Sequence, residues 1–193
     1  MFAHPWWVNL AIVLPIAQFW LWRKRRLVLS GQLLVYAAIF AAAFGFVEAS
    51  VVVYLRAAGG LLPGYMVSLD EAIRLSRDYD QTRALDGRFP MSLLAIETYR
   101  EAATMFVLAA VALLAAPRRR ERWALFIWCF AIWDIVYYAG LWATVRWPQS
   151  LATPDVLFLI PVPWISAVWF PLLVSSLCMA AVLASRERQL SGA

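Results

Sequence analysis

A single histidine, His4, and two cysteines, Cys129 and Cys178, are the whole supply of imidazole and thiol ligands in 193 residues. Haem is poorly served by that set, since the histidine lies at the extreme N-terminus and no thiolate has a suitable setting. A soft or borderline metal centre is equally short of donors. Each cysteine sits inside an apolar segment, which suits a buried small hydrophobe better than a disulfide or metal pair. Internal repeats, low-complexity tracts, a soluble domain and any familiar catalytic signature are also missing. The first apolar run, "MFAHPWWVNLAIVLPIAQFWLWRKRR", carries its positive charge after the run and has no small-residue cleavage site. A secretory signal has the opposite order, so a retained transmembrane helix is expected.

What is abundant is apolar residue. The hydrophobic share is 64% and mean hydropathy is +0.70, well above the roughly 45–50% apolar content of soluble domains. The chain therefore reads as an all-α integral membrane protein. Its net charge of +5 comes from short basic runs beside apolar segments, which is the positive-inside pattern. The lipid bilayer, with its anionic lipid, is the expected partner, and nucleic acid is not.

A hydrocarbon core of ~30 Å needs about 20 helical residues at ~1.5 Å each. Five segments qualify, at about 6–22, 27–55, 93–116, 123–145 and 165–185, within a single transmembrane domain over residues 1–193. The basic runs "RKRR" (23–26), "PRRRER" (117–122) and "RER" (186–188) then fall on one side. Positive charge is retained in the cytoplasm, which puts the N-terminus outside and the C-terminus inside.

Two outer elements are expected. "SLDEAIRLSRDYDQTRALDG" has Ser68 and Glu71 in capping-box spacing and closes on Gly87, as an amphipathic surface helix would. In "WPQSLATPDVLFLIPVPWISAVWFP", Pro154, Pro161 and Pro163 forbid a continuous helix, while "VLFLI" is too apolar for a free loop. An interfacial hairpin before the last helix satisfies both constraints. Asp155 is read there mainly as a cap for a short turn, with the polar cluster as its alternative.

Ionisable residues inside spans are costly and mark candidate sites. Glu48 lies in the second span, two turns before Arg56, and the third span contains "ETYRE". There Glu97 and Glu101 share a face and Arg100 is adjacent to it. The fourth span, "CFAIWDIVYYAGLW", carries Asp134 with Tyr137 and Tyr138 three and four residues later. Measured from the outer interface, Glu48, Glu101 and Tyr138 lie ~12–13 Å deep and Asp134 ~18 Å. Three helices thus deliver polar groups to similar levels of the outer half. Blander readings stand beside this one: Glu97 as a solvated helix-terminal carboxylate, and Arg56 and Arg146 snorkelling to headgroups. The acids with Arg100 are also compatible with a purely structural interhelical lock.

"VEASVVVYLR", "YREAAT", "WDIVYY" and "DVLFLIPVPW" together resemble a group of multi-pass bacterial inner-membrane proteins without an established activity. The resemblance spans most of residues 44–171 and implies a bacterial inner-membrane location, with no catalytic role to carry over. From the residues themselves, the expected function is binding of a hard divalent cation or a polar lipid-like headgroup, extending to metal-assisted chemistry on a membrane substrate. Glu48, Glu101 and Asp134 are the candidate acid–base groups. With Glu97 they are also the candidate ligands of a hard cation. Arg100, Tyr137 and Tyr138 would bind and orient the occupant. An accessory or assembly subunit joined to other membrane subunits is the first alternative. A proton or cation pathway is the second, weakened by having only Gln32, Ser30 and Thr104 toward the cytoplasm.

Overall fold

A computed structural model of the chain describes residues 3–58, Ser68, Asp70 and residues 91–187. They form a 3-10 stretch, Trp6–Ile12, running into α1 (Val13–Arg23), followed by α2 (Gly31–Ala58), α3 (Met91–Ala115) and α4 (Arg119–Val145). A hairpin of β1 (Pro154–Phe158) and β2 (Trp164–Ala167) then leads into α5 (Trp169–Ser185). Helices α2, α3 and α4 are long and apolar enough to cross a membrane, while α5 is apolar but shorter. The surface helix expected over residues 68–87 lies outside the described residues apart from Ser68 and Asp70.

Local chemistry sets these boundaries. Pro15 has no N–H to donate to the carbonyl four residues back, so α-helical bonding is tolerated only from its first turn onward. The residues before it adopt 3-10 geometry instead. Asn9 fixes that stretch, accepting from the Ala3 N–H and donating to the Ala3 and Trp6 carbonyls at 2.8–2.9 Å. Helix α2 was expected from residue 27 but starts at Gly31. The Ser30 hydroxyl accepts the Leu33 N–H at 3.1 Å as an N-cap. Leu27 instead exchanges backbone hydrogen bonds with Ser185 and Glu187, 2.9 and 3.0 Å. Likewise α5 begins at Trp169 rather than 165, because residues 164–167 pair with β1.

The centre of the bundle is α4. Of its most apolar window, 67% is buried, against 28% for α2 and 17% for α3. Close approach of α2 depends on two glycines. A Cβ at Gly45 would stand 2.6 Å from the Trp133 carbonyl, and one at Gly140 would stand 3.0 Å from Ala49 Cβ. The Trp128 indole donates to the Leu34 carbonyl across the same contact, 3.0 Å. Cys129 and Cys178 are buried and unpaired with each other.

The two ends of the bundle differ in charge. Leu27 bridges to Arg186, Arg120 Nη2 donates to the Arg26 carbonyl at 2.9 Å, and the Arg186 guanidinium lies beside Gly31. The basic runs therefore gather at one end. At the opposite end the hairpin covers the helices, and His4 and Ile165 exchange two backbone hydrogen bonds of 2.7 and 2.8 Å. The Pro-rich hairpin anticipated from sequence is thus an antiparallel β-ribbon. Its register shifts between Val156 and Phe158, a bulge that bends the strand over the helix ends.

Candidate functional site

Near the hairpin end a single cavity of about 160 Å³ is lined by Glu48, Glu97, Arg100, Glu101, Asp134, Tyr137 and Tyr138. Every residue singled out from the sequence as a candidate ligand, acid or orienting group borders it. Each helix contributes for a local reason. Glu97, Arg100, Glu101 and Thr104 recur at three- and four-residue spacing along one face of α3, as do Asp134, Tyr137 and Tyr138 along α4. Apolar side chains, among them Val52, Leu94, Met105 and Val174, complete the wall.

Two kinds of interaction divide the site. In the first, Arg100 joins α3 to α2. Its Nε donates to Glu97 Oε2 at 2.9 Å, its Nη2 pairs with Glu97 Oε1, and its Nη1 pairs with Glu48 Oε2. The other oxygen of Glu48 accepts from the Thr104 hydroxyl at 2.6 Å. This triad corrects the reading of Glu97 as a solvated terminal carboxylate: its side chain is 14% exposed and held by Arg100. In the second kind, acids meet neutral donors. Glu101 Oε2 accepts the Leu159 backbone N–H, 2.8 Å, and Asp134 Oδ2 accepts the Ser175 hydroxyl, 2.8 Å.

Asp155 is neither a turn cap nor peripheral. It lies on β1, is 1% exposed, and accepts the Tyr138 hydroxyl at 2.6 Å. Burial pushes its carboxyl up to about 6, opposed by the Tyr138 hydrogen bond and the charge of Arg56. Arg56 is also corrected. Rather than snorkelling outward it is 3% exposed, borders the cavity and stacks its guanidinium over Trp147 at 4.5 Å. Arg146 does project outward, over Trp142 at 4.7 Å.

Aromatic rings back the polar groups. Trp133 stacks on Tyr137 with centroids 6.1 Å apart, Tyr138 on Trp147 at 6.4 Å, and Phe130 on Phe158 of the hairpin at 6.3 Å. Offset ring pairs of this kind add about 0.5–1.5 kcal/mol each beyond the area they bury.

As a coordination sphere the expected ligand set is incomplete. Among the described residues, no three His, Cys, Asp or Glu side chains gather closely enough to hold a metal ion. Glu48, Glu97, Glu101 and Asp134 border one space, yet Glu48 and Glu97 share Arg100, Glu101 holds the Leu159 N–H and Asp134 the Ser175 hydroxyl. Ser175, Thr104, Arg56 and Asp155 are the contributors that sequence reasoning missed or placed elsewhere. Ser175 had no distinguishing signal. Its neighbour Ser176 bonds the Leu172 carbonyl one turn back, 2.7 Å, the ordinary behaviour of a helical serine. Compared with protein-family models, curated proteins and solved structures, the chain matches none.

Proposed function

We propose that this chain is a five-span protein of the bacterial inner membrane whose outer-half cavity binds the polar headgroup of a lipid-like amphiphile. The observation that carries the reading is the cavity's mixed wall: five carboxylates and two guanidiniums set among aliphatic and aromatic side chains. An amphiphile's head and first methylenes match such a wall, and pockets with a few convergent polar groups in an apolar lining are the usual form of a small-ligand site. Size separates headgroup from ion. A cavity of about 160 Å³ is roughly ten times the ~10–15 Å³ that one water requires. A bare divalent cation would leave most of it for solvent.

Two geometric facts support the five-span placement. The 3-10 stretch rises ~2 Å per residue and α1 ~1.5 Å, so Trp6–Arg23 extends ~30 Å, about one hydrocarbon thickness. The basic runs also collect at one end, which favours a cytoplasmic position for that end and a periplasmic one for the hairpin and cavity. Metal-assisted chemistry on the bound headgroup would need an ion brought in with the substrate.

Native mass spectrometry of gently purified protein tests the proposal. The expected result is a retained lipid mass that disappears in Val52→Phe, which narrows the cavity while leaving every polar side chain unsubstituted. Wild-type protein free of lipid, or equal retention by the variant, counts against it. A second reading, an accessory subunit with a structural lock, is favoured by the Glu48–Arg100–Glu97 triad alone. A stoichiometric protein partner in the same purification would support it.

A further inference from the structure

We infer that the occupant of this cavity presents a primary ammonium group, flanked by an ester, phosphate or hydroxyl oxygen. This inference rests on the headgroup reading and specifies its chemistry. Arg100 takes up both Glu48 and Glu97, while Asp155 has the Tyr138 hydroxyl and the nearby charge of Arg56. That leaves Asp134, 7% exposed, with only the neutral Ser175 hydroxyl, and Glu101, 8% exposed, which accepts the Leu159 N–H and has only a share in the charge of Arg100, already paired with two other acids. Buried carboxylates with neutral partners must hold a proton or meet a cation. Among the described residues no three acids close around a point where a metal would sit, whereas an ammonium needs only separate acceptors, because its N–H donors diverge.

A second observation points to the same ligand independently. Trp133 lines the cavity and is 8% exposed, yet among the described residues its indole N–H has no hydrogen-bond partner. A buried donor of that kind calls for an acceptor oxygen. Its ring is tilted against Phe130 at 5.7 Å and stacked on Tyr137 at 6.1 Å, which holds the indole in place. Acid and indole N–H in one wall describe a site for an amine and a neighbouring oxygen together, the pairing found in an aminophospholipid head.

The test is a binding titration of the full chain in neutral maltoside detergent, read by native mass spectrometry. Three probes are used: dioleoylphosphatidylethanolamine, dioleoylphosphatidylglycerol and free phosphoethanolamine. The expected result is at least tenfold tighter retention of the ethanolamine lipid than of the glycerol lipid. Glu101→Gln with Asp134→Asn abolishes that preference, and Trp133→Phe weakens both lipids several-fold while keeping the ring. Equal retention of the two lipids overturns the ammonium inference and leaves the headgroup reading standing. Binding of phosphoethanolamine without either lipid supports the ammonium and removes the lipid. No retention of any probe overturns both. Should the double carboxamide variant fail to fold, the wild-type preference and Trp133→Phe still decide the matter.

Discussion

Arg100 is the residue on which the polar half of the cavity turns, since it supplies the charge that ties α3 to the α2 carboxylate Glu48, beside the neutral Thr104 hydrogen bond, and holds Glu97 as well. Removing one member of a fully buried ion pair costs about 3–5 kcal/mol, because the surviving charge is left uncompensated. The Arg100 side chain retains 22% exposure, so Arg100→Gln is expected to cost less, about 2–3 kcal/mol. Glu48→Gln combined with it should cost less than the sum of the two single changes, with a coupling above about 1 kcal/mol. Denaturation of the three variants in detergent checks both statements, and additive losses would show that the pair carries no coupling. The candidate acids were legible from sequence because carboxylates in an apolar run are rare. Their partners were not. A helical serine or threonine reads the same whether it bonds its own backbone, as Ser176 does, or another helix, as Ser175 and Thr104 do.

At the level of elements, the β-hairpin lines the cavity and α2 packs closely on α4. Asp155 brings the hairpin to α4 through Tyr138, and its carboxyl is raised to about 6 from 3.8 by burial. A raised carboxyl binds its proton more tightly in the folded state. Its stabilising contribution is complete below pH 3.8 and is lost as pH rises through about 6. The thermal midpoint of the wild type should therefore fall relative to Asp155→Asn between those limits. A constant difference across that window would contradict the assignment. Gly45 and Gly140 make the second elemental prediction. A methyl at Gly45 meets the Trp133 carbonyl at 2.6 Å, whereas at Gly140 the nearest atom is the Ala49 methyl at 3.0 Å. Gly45→Ala should thus cost about 1–3 kcal/mol, as overpacking does, and Gly140→Ala less. Equal losses in the two variants would show that backbone proximity is not the limit. From sequence the prolines announced a break before α5 but not its form. Interruption of a helix is a local property of Pro154, Pro161 and Pro163, whereas pairing of residues 154–158 with 164–167 depends on the surface that receives the ribbon.

Over the whole molecule, the separation of charge gives the arrangement its direction. The runs around Arg26, Arg120 and Arg186 share one end, while His4 and the hairpin occupy the other. Single cysteines introduced at Leu151 and Arg119, in a background with Cys129 and Cys178 replaced by alanine, should label with a membrane-impermeant reagent from the periplasmic side at Leu151 only. Labelling at Arg119 alone would invert the topology. Length and hydropathy made the helices readable because the bilayer imposes one dimension on every span. Which faces of those helices meet is not periodic information. It was set by contacts such as Gly45 on Trp133, and the meeting of Glu48, Glu101 and Asp134 followed from them.

The account stands or falls on what occupies the cavity between α3, α4 and the hairpin. A crystal structure grown from a lipidic mesophase doped with phosphatidylethanolamine is the most direct measurement. It should show elongated density whose polar end lies within hydrogen-bonding distance of Glu101, Asp134 and the Trp133 N–H, with its tail along Val52 and Val174. A cavity holding only water, with Glu101 and Asp134 bonded as they are to Leu159 and Ser175, would contradict it.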